Sequence, residues 1–161
     1  MDSNSIMPTI KKQLNFIKIK HMNKHIRYLN LARNASSFSN YPTHHIGCVL
    51  EYHKQIISTG YNVEKSHPIQ AEYNKYRSMR GINIAHKLHA EIMCLLKAKK
   101  FLDDVDFRES TLYIFRAYKN GIWAMARSCP SCFQMIKDVG IKTIVYTTTD
   151  GYAIETINYD E

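Results

Sequence analysis

No stretch of this 161-residue chain approaches eighteen consecutive apolar residues, which excludes a membrane-spanning helix and any membrane partner of that kind. Residues 1–20 lack an apolar run of signal-peptide length, because Lys11, Lys12, Asn15 and Lys18 interrupt it. With nothing to direct export, an intracellular, cytoplasmic location is expected. Neither G-x-x-x-x-G-K-[ST] nor G-x-G-x-x-G occurs, so phosphate-cradling loops of those types are unsupported. H-E-x-x-H is also missing, which argues against a metalloprotease. There is no internal repeat and no low-complexity segment. Acidic residues are scarce at the start: residues 1–33 carry seven basic residues and one acid, a net +6, leaving fifteen basics and thirteen acids, +2, for residues 34–161. Such a segment either holds a polyanion or forms a solvated basic face.

The length suits one domain, and 45% hydrophobic residues suffice for its core. Residues 1–20 read as a basic, flexible arm and residues 21–161 as a single domain. Met22, Ile26, Leu29 and Ala32 recur at helical spacing and predict a first helix from Met22 to Ala35. His45–Tyr52 and Ile56–Tyr61 read as a hairpin turning at His53-Lys54-Gln55. Residues 62–83 show no clean period and read as a long loop, which in a compact domain suggests function. A second helix is expected over Leu88–Phe101, followed by an acidic connector, Asp103–Glu109. Leu112–Tyr118 reads as a strand, and Ile122–Ala126 as an extension of its pairing. The third helix is expected over Cys129–Val139, with Ser128 as N-cap, Pro130 in the first turn and Gly140 as the stop. Ile141–Tyr146 and Tyr152–Ile157 complete the order α-β-β-α-β-α-β-β, a layered α/β domain with a mixed sheet. About six residues link the last two strands, too few for a parallel crossover, so that pair is expected to be antiparallel.

Of four cysteines, Cys48 and Cys94 lie in apolar runs and read as buried thiols. Cys129 and Cys132 form C-x-x-C, which in a reducing compartment points to metal binding or catalysis. His89-Ala90-Glu91 stands at the start of the second expected helix, as Cys129 and Cys132 stand at the start of the third. His89, Cys129 and Cys132 offer three zinc ligands, and three protein ligands leave a tetrahedral zinc one open position. Cysteines at i and i+3 point the same way on a helix, and the helix N-terminus favours thiolate. Glu91 is then a spare carboxylate able to carry protons at that position. Two other readings stay open: a structural four-ligand site completed by His86, and a redox C-x-x-C, which would leave His89 and Glu91 unexplained.

These motifs, together with Ile57-Ser58-Thr59-Gly60-Tyr61-Asn62 and the element order, resemble the cytidine deaminase superfamily over roughly His45 to Tyr159. The resemblance implies a three-layer fold with a five-stranded mixed sheet, its zinc held between two helices. It implies that His89, Cys129 and Cys132 bind one zinc ion and that Glu91 shuttles protons. Hydrolytic conversion of cytosine to uracil by hydroxide formed on the metal would follow. Asn62 matches a family asparagine that contacts the base, and Ala90 belongs with it in the substrate-binding set. The family usually places proline before the first cysteine; here that residue is Ser128.

Further substrate contacts are expected from Tyr73, Tyr76, Arg77 and Arg80 in the long loop and from Trp123 and Arg127 before the third helix. Aromatics beside such a pocket stack on bases, and arginines pair with phosphate. Against this, the tyrosines and Trp123 equally suit packing. The basic arm favours cytosine in single-stranded DNA or RNA as substrate. Free cytidine, deoxycytidine or (deoxy)cytidylate is the alternative, and a non-catalytic zinc or nucleic-acid-binding module is a third, which Glu91 argues against. Assembly into a homo-oligomer is compatible with the chain.

Overall fold

The computed structural model describes residues 24–77 and 85–160. The expected N-terminal arm and Arg80 lie outside them. A helix, α1, covers residues 24–36. The strands are β1 (Ile46–Tyr52), β2 (Gln55–Tyr61), β3 (Thr111–Arg116), β4 (Thr143–Thr148) and β5 (Gly151–Thr156). The remaining helices are α2 (Pro68–Tyr73), α3 (Ala90–Ala98), α4 (Asp104–Arg108) and α5 (Pro130–Val139). The five strands form one mixed sheet in the order β2-β1-β3-β4-β5. Only β3 and β4 run parallel, with α5 in the connection between them; β4 and β5 pair antiparallel, as their short link requires.

The three central strands are buried on both faces, whereas the edge strands β2 and β5 are half-exposed. Two apolar clusters follow. On one face Tyr28, Leu29 and Ala32 of α1 meet Val49, Tyr113, Phe115 and Val145. On the other, Ile92 and Leu95 of α3 and Met135 and Ile136 of α5 meet Leu50, Leu112, Ile114 and Ile144. The molecule is therefore three-layered. Cys48 and Cys94 are fully buried in the second cluster. No described helix is long and apolar enough to cross a membrane.

Two glycines set how closely helices approach the sheet. A Cβ on Gly60 of β2 would stand 2.2 Å from the Ala90 carbonyl oxygen at the start of α3. One on Gly47 of β1 would stand 1.8 Å from the Ala32 carbonyl oxygen of α1. Only glycine permits backbone contacts this close.

The structure corrects several sequence expectations. The long loop contains α2 and a 3₁₀ turn, Asn74–Tyr76. Its inward residues are polar, Gln70 and Asn74, so no hydrophobic period marked it. The acidic connector contains α4, closed by a capping box in which Asp103 and Asp106 exchange side-chain and backbone hydrogen bonds. The hairpin turns at His53 and Lys54, both left-handed, and Gln55 already belongs to β2. Residue 129, not 128, caps α5; Ser128 turns inward instead. Gly140 does end that helix, in the left-handed conformation with φ 94°.

Candidate metal and active site

Helices α3 and α5 pack side by side on one face of the sheet, and the N-cap residue of each is a metal-ligand type. His89 caps α3 and Cys129 caps α5, both with extended backbone and neither with a side-chain capping bond. Cys132 and Glu91 follow in the respective first turns. The N-terminal partial charges of two helices therefore converge on one point, which favours anionic ligands there.

Cys129 Sγ lies 3.5 Å and Cys132 Sγ 3.3 Å from His89 Nδ1. All three ligand atoms fall within 4.8 Å of one another. A tetrahedral zinc with Zn–S of about 2.3 Å and Zn–N of about 2.0–2.1 Å would separate sulfur from nitrogen by about 3.6 Å. The donor set and its spacing thus fit one zinc ion. His86, the alternative fourth ligand, is turned aside: its Nδ1 lies 3.0 Å from Asn74 Nδ2. Among the described residues the metal-ligand group has three members, not four.

The electrostatics agree with that use. Cys129 is pulled down to about 3, first by the Cys132 thiol and then by His89, so it is a thiolate at neutral pH. Burial pushes the Cys132 thiol well up. His89 is raised: burial opposes its charged form, but Cys129 and Glu91 outweigh it. Glu91 is 4% exposed, and burial raises its carboxyl above the usual range. Ser128 Oγ donates to Glu91 Oε1 at 3.2 Å, so the residue in the usual proline position holds the spare carboxylate.

A buried polar chain fixes the site from the side. Gln70 Oε1 accepts from the His89 backbone N–H at 3.0 Å, and Gln70 Nε2 donates to Asn74 Oδ1 at 2.8 Å. Ser131 Oγ, inside the C-x-x-C, donates to the same oxygen at 3.0 Å. Both helix starts are thereby tied to α2 and the following turn. Sequence reasoning missed Gln70, Asn74, Ser128 and Ser131. The one available signal was the placement of both serines within Ser128-Cys129-Pro130-Ser131-Cys132.

The structure brings His89, Glu91, Cys129 and Cys132 together, with Ala90 fully buried between the first two. Arg77 is close enough for its charge to act on His89, and the neighbouring Tyr76 is 43% exposed. Asn62 is buried, and its amide ties down the segment before β1. Its Oδ1 accepts from Ile46 N and Ser39 Oγ, and its Nδ2 donates to the His44 carbonyl. Tyr73 is partly buried against the α3–α5 core, and its hydroxyl donates to Asp138 of α5. Trp123 is not brought to the cluster; it packs on the α1 side of the sheet, edge-on to Phe115 at 5.7 Å. Arg127 makes a two-pronged ion pair with Glu155 of β5, at 3.0 and 2.8 Å.

A mixed five-stranded sheet carrying a His/Cys/Cys metal cluster and a buried carboxylate between two helix starts defines a deaminase-type zinc domain. The chain belongs to the family described as the cytidine and deoxycytidylate deaminase zinc-binding region, whose model matches residues 22–148. It is a deaminase of that family, and hydrolytic chemistry follows from membership. A curated relative, an uncharacterized deaminase in the luxG 3′ region of Aliivibrio fischeri, is 27% identical over 118 residues, 73% of this chain and 68% of the relative. Two solved structures share the fold. The dCMP deaminase of the cyanophage S-TIM5 has a TM-score of 0.52 at 22% identity, covering 77% of this chain and 82% of its own. The cytidine deaminase of Burkholderia pseudomallei has a TM-score of 0.55 at 15% identity, covering 80% and 88%.

Proposed function

We propose that this protein is a zinc-dependent hydrolase that converts cytosine to uracil. The observation that carries this reading is Glu91: a buried carboxylate, two residues from His89, that is not needed as a ligand and is raised by burial. His89, Cys129 and Cys132 would hold the ion. Zinc held there supplies Lewis acidity that lowers the pKa of a coordinated water to about 7. Glu91 takes a proton from the attacking water and gives it to ring nitrogen N3, then takes the remaining proton from the hydroxyl added at C4 and gives it to the leaving amine. An oxygen–C4 bond forms, the C4–N bond breaks, and ammonia leaves with C4 as a carbonyl. A carboxyl raised toward the working pH suits both taking and giving a proton. Ser128 holds Glu91 Oε1 in place, and Gln70 holds the His89 backbone.

For the molecule carrying the base, the basic segment at residues 1–33 supports single-stranded DNA or RNA. The nearly neutral remainder of the chain supports a free cytidine nucleoside or nucleotide as the second reading. Asn62, Ala90, Tyr76, Arg77 and Arg127 remain the proposed substrate contacts at the cluster, whereas Trp123, on the α1 side of the sheet, would meet the substrate only away from it. Of these, Tyr76 is 43% exposed and Arg77 lies within electrostatic reach of His89.

The test is incubation of the zinc-loaded protein with single-stranded DNA, RNA, cytidine, deoxycytidine and dCMP, with uracil products measured. Product that persists at full rate after Glu91→Ala sinks the mechanism. Product from monomers alone sinks the polynucleotide reading. Deletion of residues 1–20 should weaken polynucleotide turnover at moderate salt, and an unchanged rate would make the arm incidental.

A further inference from the structure

A concavity with a volume of about 640 Å³ lies on the α1 side of the sheet. That is within the range of roughly 300–1,000 Å³ typical of small-molecule sites. Arg33, His44, His45, Phe115, Arg116 and Lys119 line it, and no carboxylate does. The described residues contain two ion pairs, His53–Glu109 and Arg127–Glu155, so none of these cations is neutralised by one. Uncompensated like charges gathered around a concavity create a potential complementary to an anion.

The fold fixes the backbone from which Arg33, Arg116 and His44 reach into the cleft. Gly47 lets α1 lie directly on β1 at Ala32, the residue before Arg33. Arg116 ends β3, where its backbone N–H donates to the buried Thr147 hydroxyl at 3.0 Å, and that hydroxyl reaches the Ala124 carbonyl at 2.8 Å. His44 is fixed through its carbonyl by Asn62, and its Nδ1 lies 2.9 Å from Thr43 Oγ1. Phe115 is backed by Trp123. His44, which lines the cleft, links it electrostatically to the metal cluster. His44 feels the charges of both Arg116 in the cleft and His89 in the cluster. A ligand whose base entered beside His89 would leave its remaining groups next to His44.

We infer that the cleft formed by Arg33, Arg116 and Lys119 binds a phosphate group attached to the cytosine-bearing substrate. This rests on the deaminase reading for the identity of the base. Guanidinium groups pair with phosphate through two parallel hydrogen bonds, and a lysine adds a point charge. The substrate class is then a cytidine nucleotide unit, either free or within a chain, rather than an uncharged nucleoside.

The experiment is calorimetric binding to zinc-loaded Glu91→Gln protein, in which turnover does not obscure affinity. dCMP should bind at least about tenfold more tightly than deoxycytidine. Inorganic phosphate should compete with dCMP and leave deoxycytidine binding unaffected. The added pair Arg33→Ala and Arg116→Ala should remove most of the preference while deoxycytidine affinity holds. Arg116→Lys should retain part of it, and Lys100→Ala, outside the cleft, all of it. A trinucleotide with central deoxycytidine tells the sources apart. The same loss there assigns the cleft to a backbone phosphodiester, and a loss with dCMP alone assigns it to a terminal phosphate. Equal affinity for dCMP and deoxycytidine, or an equal loss of both in the double variant, overturns the assignment. Phosphate preference without uracil formation from any substrate would remove the deaminase reading and leave the cleft. Uracil formation without that preference would do the reverse.

Discussion

Ser128 Oγ donates a hydrogen bond to Glu91 Oε1 across 3.2 Å, joining residues 37 apart in sequence. Both are buried, so the bond is shielded from water and its loss is not made good by solvent. Ser128 touches the carboxylate and acts through it, a positioning role. Ser128→Ala should lower kcat about three- to tenfold, corresponding to about 1 kcal/mol, with KM and zinc content little changed. Ser128→Thr, which keeps the hydroxyl, should recover most of the loss. Equal defects in the alanine and threonine variants would show that packing, not the hydrogen bond, matters here.

Glu91 places a cost on the fold that its removal should reveal. Burial raises its folded pKa, so its contribution is most favourable below the unfolded value, where the group is protonated in both states. That contribution is lost as pH rises through the folded value. Glu91→Gln should therefore stabilise the metal-free protein at pH 7 and have little effect near pH 4. Each kcal/mol released corresponds to a rise in Tm of about 2–4 °C for a chain of this size. The same variant should lose at least about a hundredfold in turnover. A melting curve that falls at pH 7 on this substitution would contradict the burial argument.

How much of this was legible beforehand depends on sequence distance. Cys129 with Cys132 is an i,i+3 pair that helical geometry turns the same way, and His89 with Glu91 is a local pair legible as a motif at a helix start. The strands were legible because β1, β3 and β4 are continuous apolar runs, buried on both faces. Helix α2 was not, since six residues make fewer than two turns and its buried position is the polar Gln70, followed by the buried Asn74 of the next turn. Gln70 meets His89 across 19 residues, and Arg127 meets Glu155 across 28. No local pattern announces such partners. Ser128 suited a helix cap on propensity, but tertiary contact with Glu91 claimed its hydroxyl.

Metal loading should be stoichiometric and proton-linked. The protein should take up one zinc ion, and Cys129→Ala or His89→Ala should each abolish tight uptake. Cys129 is already a thiolate, whereas burial holds the proton on Cys132, so binding must release that proton. Zinc affinity should accordingly fall as pH is lowered from 8 to 6. Saturating zinc at about a hundredfold over its Kd should add about 2.7 kcal/mol of stability, which a chelator removes. Zinc titrations at the two pH values, followed by thermal melts with and without chelator, check both points. Affinity independent of pH would mean that Cys132 is ionised and His89 neutral before the metal arrives.

The two close helix–sheet contacts allow the metal site and the cationic cleft to be perturbed separately. In Gly60→Ala the new Cβ would meet the Ala90 carbonyl oxygen at 2.2 Å and the Cys94 nitrogen at 2.7 Å. Backbone cannot yield there as a flexible side chain would, so α3 must shift away from β2. His89 caps that helix and Glu91 lies in its first turn, so the whole catalytic group moves with it. Overpacking of this kind costs about 1–3 kcal/mol, and a 1 Å misplacement can cost about a hundredfold in rate. In Gly47→Ala the clash falls on Ala32 and Ser36 of α1 instead. That helix carries Arg33 and none of the metal ligands. Gly60→Ala should therefore weaken zinc binding and turnover of every substrate alike. Gly47→Ala should leave zinc uptake intact and reduce discrimination between dCMP and deoxycytidine. Zinc content and the ratio of the two affinities, measured in both variants, separate these outcomes. Identical profiles for the two would show that the layers are mechanically coupled through the sheet.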